Sequence, residues 1–199
     1  MRVPIAAAAV IATLPPLGCV RGLGGCVCAA PYDPPVISLS VLVAKPPLFF
    51  VFFAAGAAWT LHSAARLRRR NRPRAAALAL VCGLAFCCLP TGAAEWRWIA
   101  HGVALASLCC VVAAGEWPVP ATRKPDAYAH LACTSVSVAL AAAFMLAGYT
   151  SPDWAPPPVR ALSVAAAETA AVLHAAAYQA AVEEWEENEL ALGSISRFW

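Results

Sequence analysis

Charge is scarce in this sequence, and what there is stands in clumps. Only 13% of the 199 residues are Asp, Glu, Lys or Arg, against 61% hydrophobic residues, and the mean hydropathy is +0.68. A soluble domain carries about 25% charged and about 45–50% apolar residues. The shortage excludes an ordinary water-soluble domain and implies apolar surface buried in lipid. Other absences narrow the chemistry. No C-x-x-C pair occurs among the nine cysteines, which excludes a zinc ribbon. There is no G-x-S-x-G, no H-E-x-x-H and no phosphate loop. No histidine is followed four or five residues later by an aspartate, as in one class of acyltransferase. The net charge of +3 comes mostly from one loop with no aromatic residues interleaved, so nucleic acid is not an expected partner. No cofactor and no metal ion are expected either.

The charge that is present is concentrated at Arg66 to Arg74, where six arginines fall within nine residues. Each arginine in hydrocarbon costs roughly 2.5–3.5 kcal/mol on insertion scales. The stretch from Leu61 to Arg74 therefore reads as a loop at a membrane surface, and the arginine excess assigns that surface to the cytoplasm. Counting outward gives an all-α, polytopic membrane protein of about six transmembrane helices, as one integral membrane domain. The expected spans are 3–20, 46–65, 75–91, 98–115, 127–149 and 159–182. Both termini are then cytoplasmic, residues 21–45 form a luminal loop, and the glutamate-rich residues 183–199 form a solvated cytoplasmic tail. Arg123 and Lys124 fall in a second cytoplasmic loop, which agrees with this alternation. The first segment has two readings: a span interrupted by Pro15 and Pro16, or a cleaved signal peptide. The Leu48 to Phe53 run reads as lipid-facing surface. Cys26 and Cys28, in the Gly- and Pro-rich luminal loop, are the disulfide candidates.

Ionisable groups inside spans are costly and are functional candidates by default. The histidines fall one per span at His62, His101, His130 and His174. His62 and His130 lie near cytoplasmic ends and read as interfacial side chains. His101 lies near the non-cytoplasmic end of the fourth span. Glu168 lies roughly 13 Å inside the sixth span from its non-cytoplasmic end, at 1.5 Å per residue. A carboxylate at that depth needs a partner, a proton or a water-filled cavity. His101 is its best-placed partner, and the two are the catalytic candidates.

Three stretches resemble one family, the post-GPI attachment to proteins factor 2 group, within the wider superfamily that includes the damage-regulated autophagy modulators. Cys28-Ala29-Ala30-Pro31, Pro35-Val36-Ile37-Ser38 and Pro46 resemble its first luminal loop in order and spacing. Leu61-His62-Ser63-Ala64-Ala65-Arg66 resembles its L-H-S-A-P-R, with Ala65 where the proline stands. Glu168, followed by Glu183-Glu184-Trp185, resembles the close of its last span, although Gln179 stands where a histidine is expected. His101 fits a histidine common across the superfamily. The resemblance implies a role in lipid remodelling of glycosylphosphatidylinositol (GPI)-anchored proteins in the Golgi or endoplasmic reticulum membrane. The step implied is the re-acylation of a lyso-GPI intermediate, by the protein as enzyme or as lipid-presenting subunit. Ser38, His62 and Arg66 are the implied lipid-binding residues. The implied partners are membrane lipid, GPI-anchored proteins and other membrane proteins of the same remodelling. Two rivals stand beside this: an endosomal or lysosomal autophagy-modulator-like protein without catalysis, and a small transporter built on Glu168 and His101. No inverted repeat relates the two halves.

Overall fold

The computed structural model describes residues 2–20, 48–88, 95–117 and 125–195. Among these residues it is all-helical. The helices are α1 (Val3–Val20), α2 (Leu48–Arg69), α3 (Pro73–Cys88), α4 (Glu95–Glu116), α5 (Pro125–Thr150) and α6 (Pro157–Ile195), with a 3-10 turn at Pro152–Trp154. The first helix runs through Pro15 and Pro16. The sixth is 39 residues long and continues past residue 182 into the acidic tail.

The arginine-rich loop is shorter than its composition suggests. Helix α2 extends to Arg69 and α3 starts at Pro73, so most of the arginines sit on helical turns. Asn71 takes a left-handed conformation, φ 58°. The Arg72 N–H reaches the Leu67 carbonyl at 2.9 Å, and the Asn71 N–H reaches the Arg68 carbonyl at 3.0 Å. This is a Schellman-type helix end, which satisfies the last carbonyls of α2 and needs a left-handed residue at that point. Asparagine tolerates that region better than other side chains with a Cβ. Pro73 then opens α3 with its φ already set for a helix.

Each helix packs on the next, α6 returns to α1, and α4 crosses the middle to meet α6 and α2. Alanine lets the helices approach closely: Ala7, Ala8, Ala104, Ala171, Ala175 and Ala176 are all buried. The larger core residues are Trp59, Tyr178, Phe52, Phe86, Ile11, Leu67 and Leu108. The phenylalanine run does not all face outward as expected. Phe50 is exposed, but Phe52 and Phe53 turn inward and meet Phe86 at ring-centroid separations of 5.6 and 5.5 Å. Phe52 and Phe53 share the side of α2 that α3 approaches, whereas Phe50 does not.

The outside of the bundle is apolar. Leu61, Leu78, Val81, Leu84, Val103, Val136, Leu140, Leu146, Leu162 and Leu173 are exposed, while Ser63, Arg66, His101, Glu116, Glu168 and Gln179 are buried. Among the described residues, one stretch is long and apolar enough to cross a membrane, Asp126–Gly148, 23 residues with mean hydropathy 2.0. Only 22% of its apolar window is buried, so most of that window faces outward. Val3–Thr13, Pro73–Cys87 and Ala100–Glu116 are apolar but shorter.

Candidate functional site

Two polar layers lie inside the bundle. Helices α4 and α6 run parallel, because an early residue of one meets an early residue of the other and their later residues share a partner. His101 and Glu116 are fifteen residues apart on α4, and Glu168 and Glu183 are fifteen apart on α6. At 1.5 Å per residue the two layers are therefore about 22 Å apart.

The first layer sits at the arginine end. Glu116 is fully buried, with 0% exposure, and is the last residue of α4. The negative end of a helix dipole disfavours a carboxylate there, so cations must offset it. Arg66 grips Glu116 as a fork, Nε to Oε1 at 2.6 Å and Nη2 to Oε2 at 3.1 Å. Arg70 donates to the Glu116 backbone carbonyl at 3.0 Å and to its carboxylate. Glu186 closes the group, 2.8 Å from Arg66 and 3.0 Å from Arg70. Burial works against the Arg66 charge, but Glu116, Glu186 and Glu183 more than offset it and hold its pKa above the ordinary arginine value.

The Leu61-His62-Ser63-Ala64-Ala65-Arg66 stretch thereby acquires a physical role. His62 Nε2 lies 2.7 Å from Glu183 Oε1. Ser63 donates to Gln179 Oε1 at 3.1 Å, beside Trp59 Nε1 at 2.9 Å. Arg66 reaches Glu116, Glu186 and Glu183. The polar members of the motif thus tie α2 to α6, and Arg66 adds α4. His62 and Arg66 are occupied within the chain itself. Gln179 holds Trp59 and Ser63 through one oxygen. The tail expected to be solvated divides by helical face: Glu183 and Glu186 turn inward, while Glu184, Glu187 and Glu189 stay exposed. Arg2 joins the same end through Ala180 O and, at 2.9 Å, through Glu187.

The second layer holds the two catalytic candidates. His101 is 1% exposed and Glu168 is 3% exposed. The His101 ring lies edge-on to Phe53 and Phe86, at centroid separations of 5.7 and 5.8 Å. Glu168 reaches across from α6 to the residue after His101. A Cβ on Gly102 would stand 2.8 Å from Glu168 Oε1 and 2.3 Å from Met145 Cε. Only glycine at 102 lets the carboxylate come this close to α4. The layer therefore gathers α2, α3, α4, α5 and α6 around an imidazole and a carboxylate. Arg160, in the first turns of α6, is buried as well.

Between the layers, His130 and His174 face each other across α5 and α6, Nδ1 to Nδ1 at 3.0 Å. His130 thus pairs with a second ring instead of standing alone at an interface. Among the described residues, no group of three or more His, Cys, Asp or Glu side chains is arranged to hold a metal ion. Ser38, Cys26 and Cys28 lie outside the described residues.

No family model, curated protein or solved structure matches this chain.

Glu116, Gly102 and Arg70 carry much of this geometry, Arg160 is buried in the first turns of α6, and none of the four is singled out by the sequence. A carboxylate ending an apolar helix is the signal that could have found Glu116. A lone arginine inside an apolar stretch is the signal for Arg160. Gly102 has no comparable sign, because its role depends on which side chain arrives from α6.

Proposed function

We propose that this chain is a multi-pass protein of the Golgi or endoplasmic reticulum membrane that acts in GPI-anchor lipid remodelling. It serves the re-acylation of lyso-GPI, as the transferring enzyme or as the subunit that presents the lipid. In this reading all six helices span the bilayer, with the arginine end in the cytoplasm. The apolar exterior, with ionisable side chains such as His101, Glu116 and Glu168 turned inward, supports lipid embedding, since a water-soluble bundle turns its charged side chains outward. Arg2, Arg66, Arg70, Glu116 and Glu183 share one end of the bundle. His101 and Glu168 then lie toward the luminal leaflet, the side on which a GPI head group resides.

The observation that carries the proposal is the buried imidazole and carboxylate on neighbouring helices, with Glu168 Oε1 against Gly102 beside His101. Acyl transfer to a lyso-lipid hydroxyl needs a group that accepts the hydroxyl proton as the ester forms. A carboxylate or an imidazole shielded from water can do this, and a lipid-presenting subunit can use the same pair to hold the hydroxyl. The aromatic wall of Phe53 and Phe86 keeps the position dry. The three motif resemblances give the substrate class. Complementation of cells lacking the protein tests the reading. Glu168→Gln and His101→Ala, expressed at wild-type level, are each expected to leave surface GPI-anchored proteins depleted and shed into the medium. Normal surface levels in both lines would refute it.

A further inference from the structure

We propose that the outer face of the α2–α3 hairpin binds the phosphate of anionic phospholipid head groups in the leaflet it adjoins. This rests on the membrane-embedded reading above but not on any role in acyl transfer. The six arginines of the hairpin divide into two sets. Arg66 and Arg70, one turn apart on the same helical face, point inward and are matched by Glu116, Glu183 and Glu186. Arg68, Arg69, Arg72 and Arg74 are exposed, and among the described residues no carboxylate pairs with them. Bundle stability accounts for the first set. It leaves four cations within seven residues that pair with no carboxylate among the described residues.

These four stand on a fixed frame, because the helix end at Asn71 and the start of α3 at Pro73 are both hydrogen-bonded or ring-locked. Two of them, Arg72 and Arg74, line an open surface depression of about 330 Å³ together with Asn71, Pro73 and Ala75. The first turn of α3 borders it. The first α3 backbone bond comes from the Ala76 N–H, so the N–H groups of Arg74 and Ala75 add donors at the positive end of a helix. Guanidinium groups match phosphate oxygens in paired hydrogen bonds. The exposed Leu61 and Leu78 flank the hairpin on α2 and α3. They set the basic rim at the boundary where acyl chains end and head groups begin, which favours a lipid over a dissolved anion. Arginine clusters next to a membrane helix attract anionic lipids over distances of about a Debye length.

The test uses the full chain purified in uncharged detergent, with native mass spectrometry reading retained lipid. The protein is expected to bind phosphatidylinositol 4-phosphate at least tenfold more tightly than phosphatidylcholine, and to lose most of that preference when salt is raised from about 0.1 to about 0.5 M. The variant Arg68→Gln/Arg69→Gln/Arg72→Gln/Arg74→Gln is expected to bring the two lipids within twofold of each other. Its all-lysine counterpart keeps the charge and should keep at least a threefold preference, and equal helix content in both variants shows that the fold is retained. Equal binding of the two lipids by wild type, or an unchanged preference in the glutamine variant, would overturn the proposal. So would soluble inositol phosphate that binds as tightly as the lipid. Because the readout needs no acyl transfer, normal anchor remodelling in cells carrying the glutamine variant leaves it standing.

Discussion

Replacing Glu116 by glutamine removes the charge to which Arg66 and Arg70 are both bound while keeping the side chain's shape. Breaking a buried ion pair by removing one partner costs about 3–5 kcal/mol, because the remaining charge is left uncompensated. Here Arg66 keeps Glu186 at 2.8 Å and Glu183 at 3.6 Å, and Arg70 keeps Glu186 at 3.0 Å. The expected loss is therefore at the low end, about 3 kcal/mol. For a chain of this size that corresponds to a fall of roughly 6–12 °C in the midpoint of thermal unfolding. Fluorescence-detected size-exclusion after a temperature series in detergent measures it. The exposed Glu184→Gln is the control and should shift the midpoint by no more than about 1–2 °C, since surface changes stay within about 0.5 kcal/mol. Pairing Glu116→Gln with Arg66→Met completes a double-mutant cycle, and groups in direct contact should show a coupling of about 1–3 kcal/mol. A midpoint unchanged by Glu116→Gln, or strictly additive effects in the cycle, would refute the reasoning that one buried fork joins α2 to α4.

Two further substitutions separate geometry from stability. Gly102→Ala places a methyl 2.8 Å from Glu168 Oε1 and 2.3 Å from the flexible tip of Met145. It should lower anchor remodelling per folded molecule by about 10–100-fold, the effect of displacing a positioned group by about an ångström. Gly115→Ala meets Leu67 Cδ2 at 2.5 Å in the other layer. It should instead cost about 1–3 kcal/mol by overpacking and leave remodelling per folded molecule unchanged. Asn71→Val forces a branched side chain to φ 58° and should cost about 1–2 kcal/mol, whereas Asn71→Gly should be neutral within a few tenths; thermal midpoints of the two variants decide this.

The helices and their polar residues were legible from sequence, because hydrophobic runs, arginine clusters and isolated ionisable groups are local signals. His101 and Glu168 were visible as costly side chains in apolar runs. Their partners were less so. The motif from Leu61 to Arg66 was readable as a pattern, but its work depends on Gln179, Glu183 and Glu186, more than a hundred residues away. The acidic tail reads as solvated because one face of it is. Its inward glutamates are set by the spacing of Glu183 and Glu186 against Arg66, a tertiary fact. The phenylalanine run failed for a similar reason, since the approach of α3 decides which rings face lipid.

Lipid mass spectrometry of GPI anchors is the most direct measurement. Anchors from cells that carry only the Glu168→Gln chain are predicted to lack the saturated chain regained at re-acylation and to accumulate as lyso forms. Anchors indistinguishable from wild type, with the variant present at normal level, would contradict a role for the buried carboxylate in GPI remodelling.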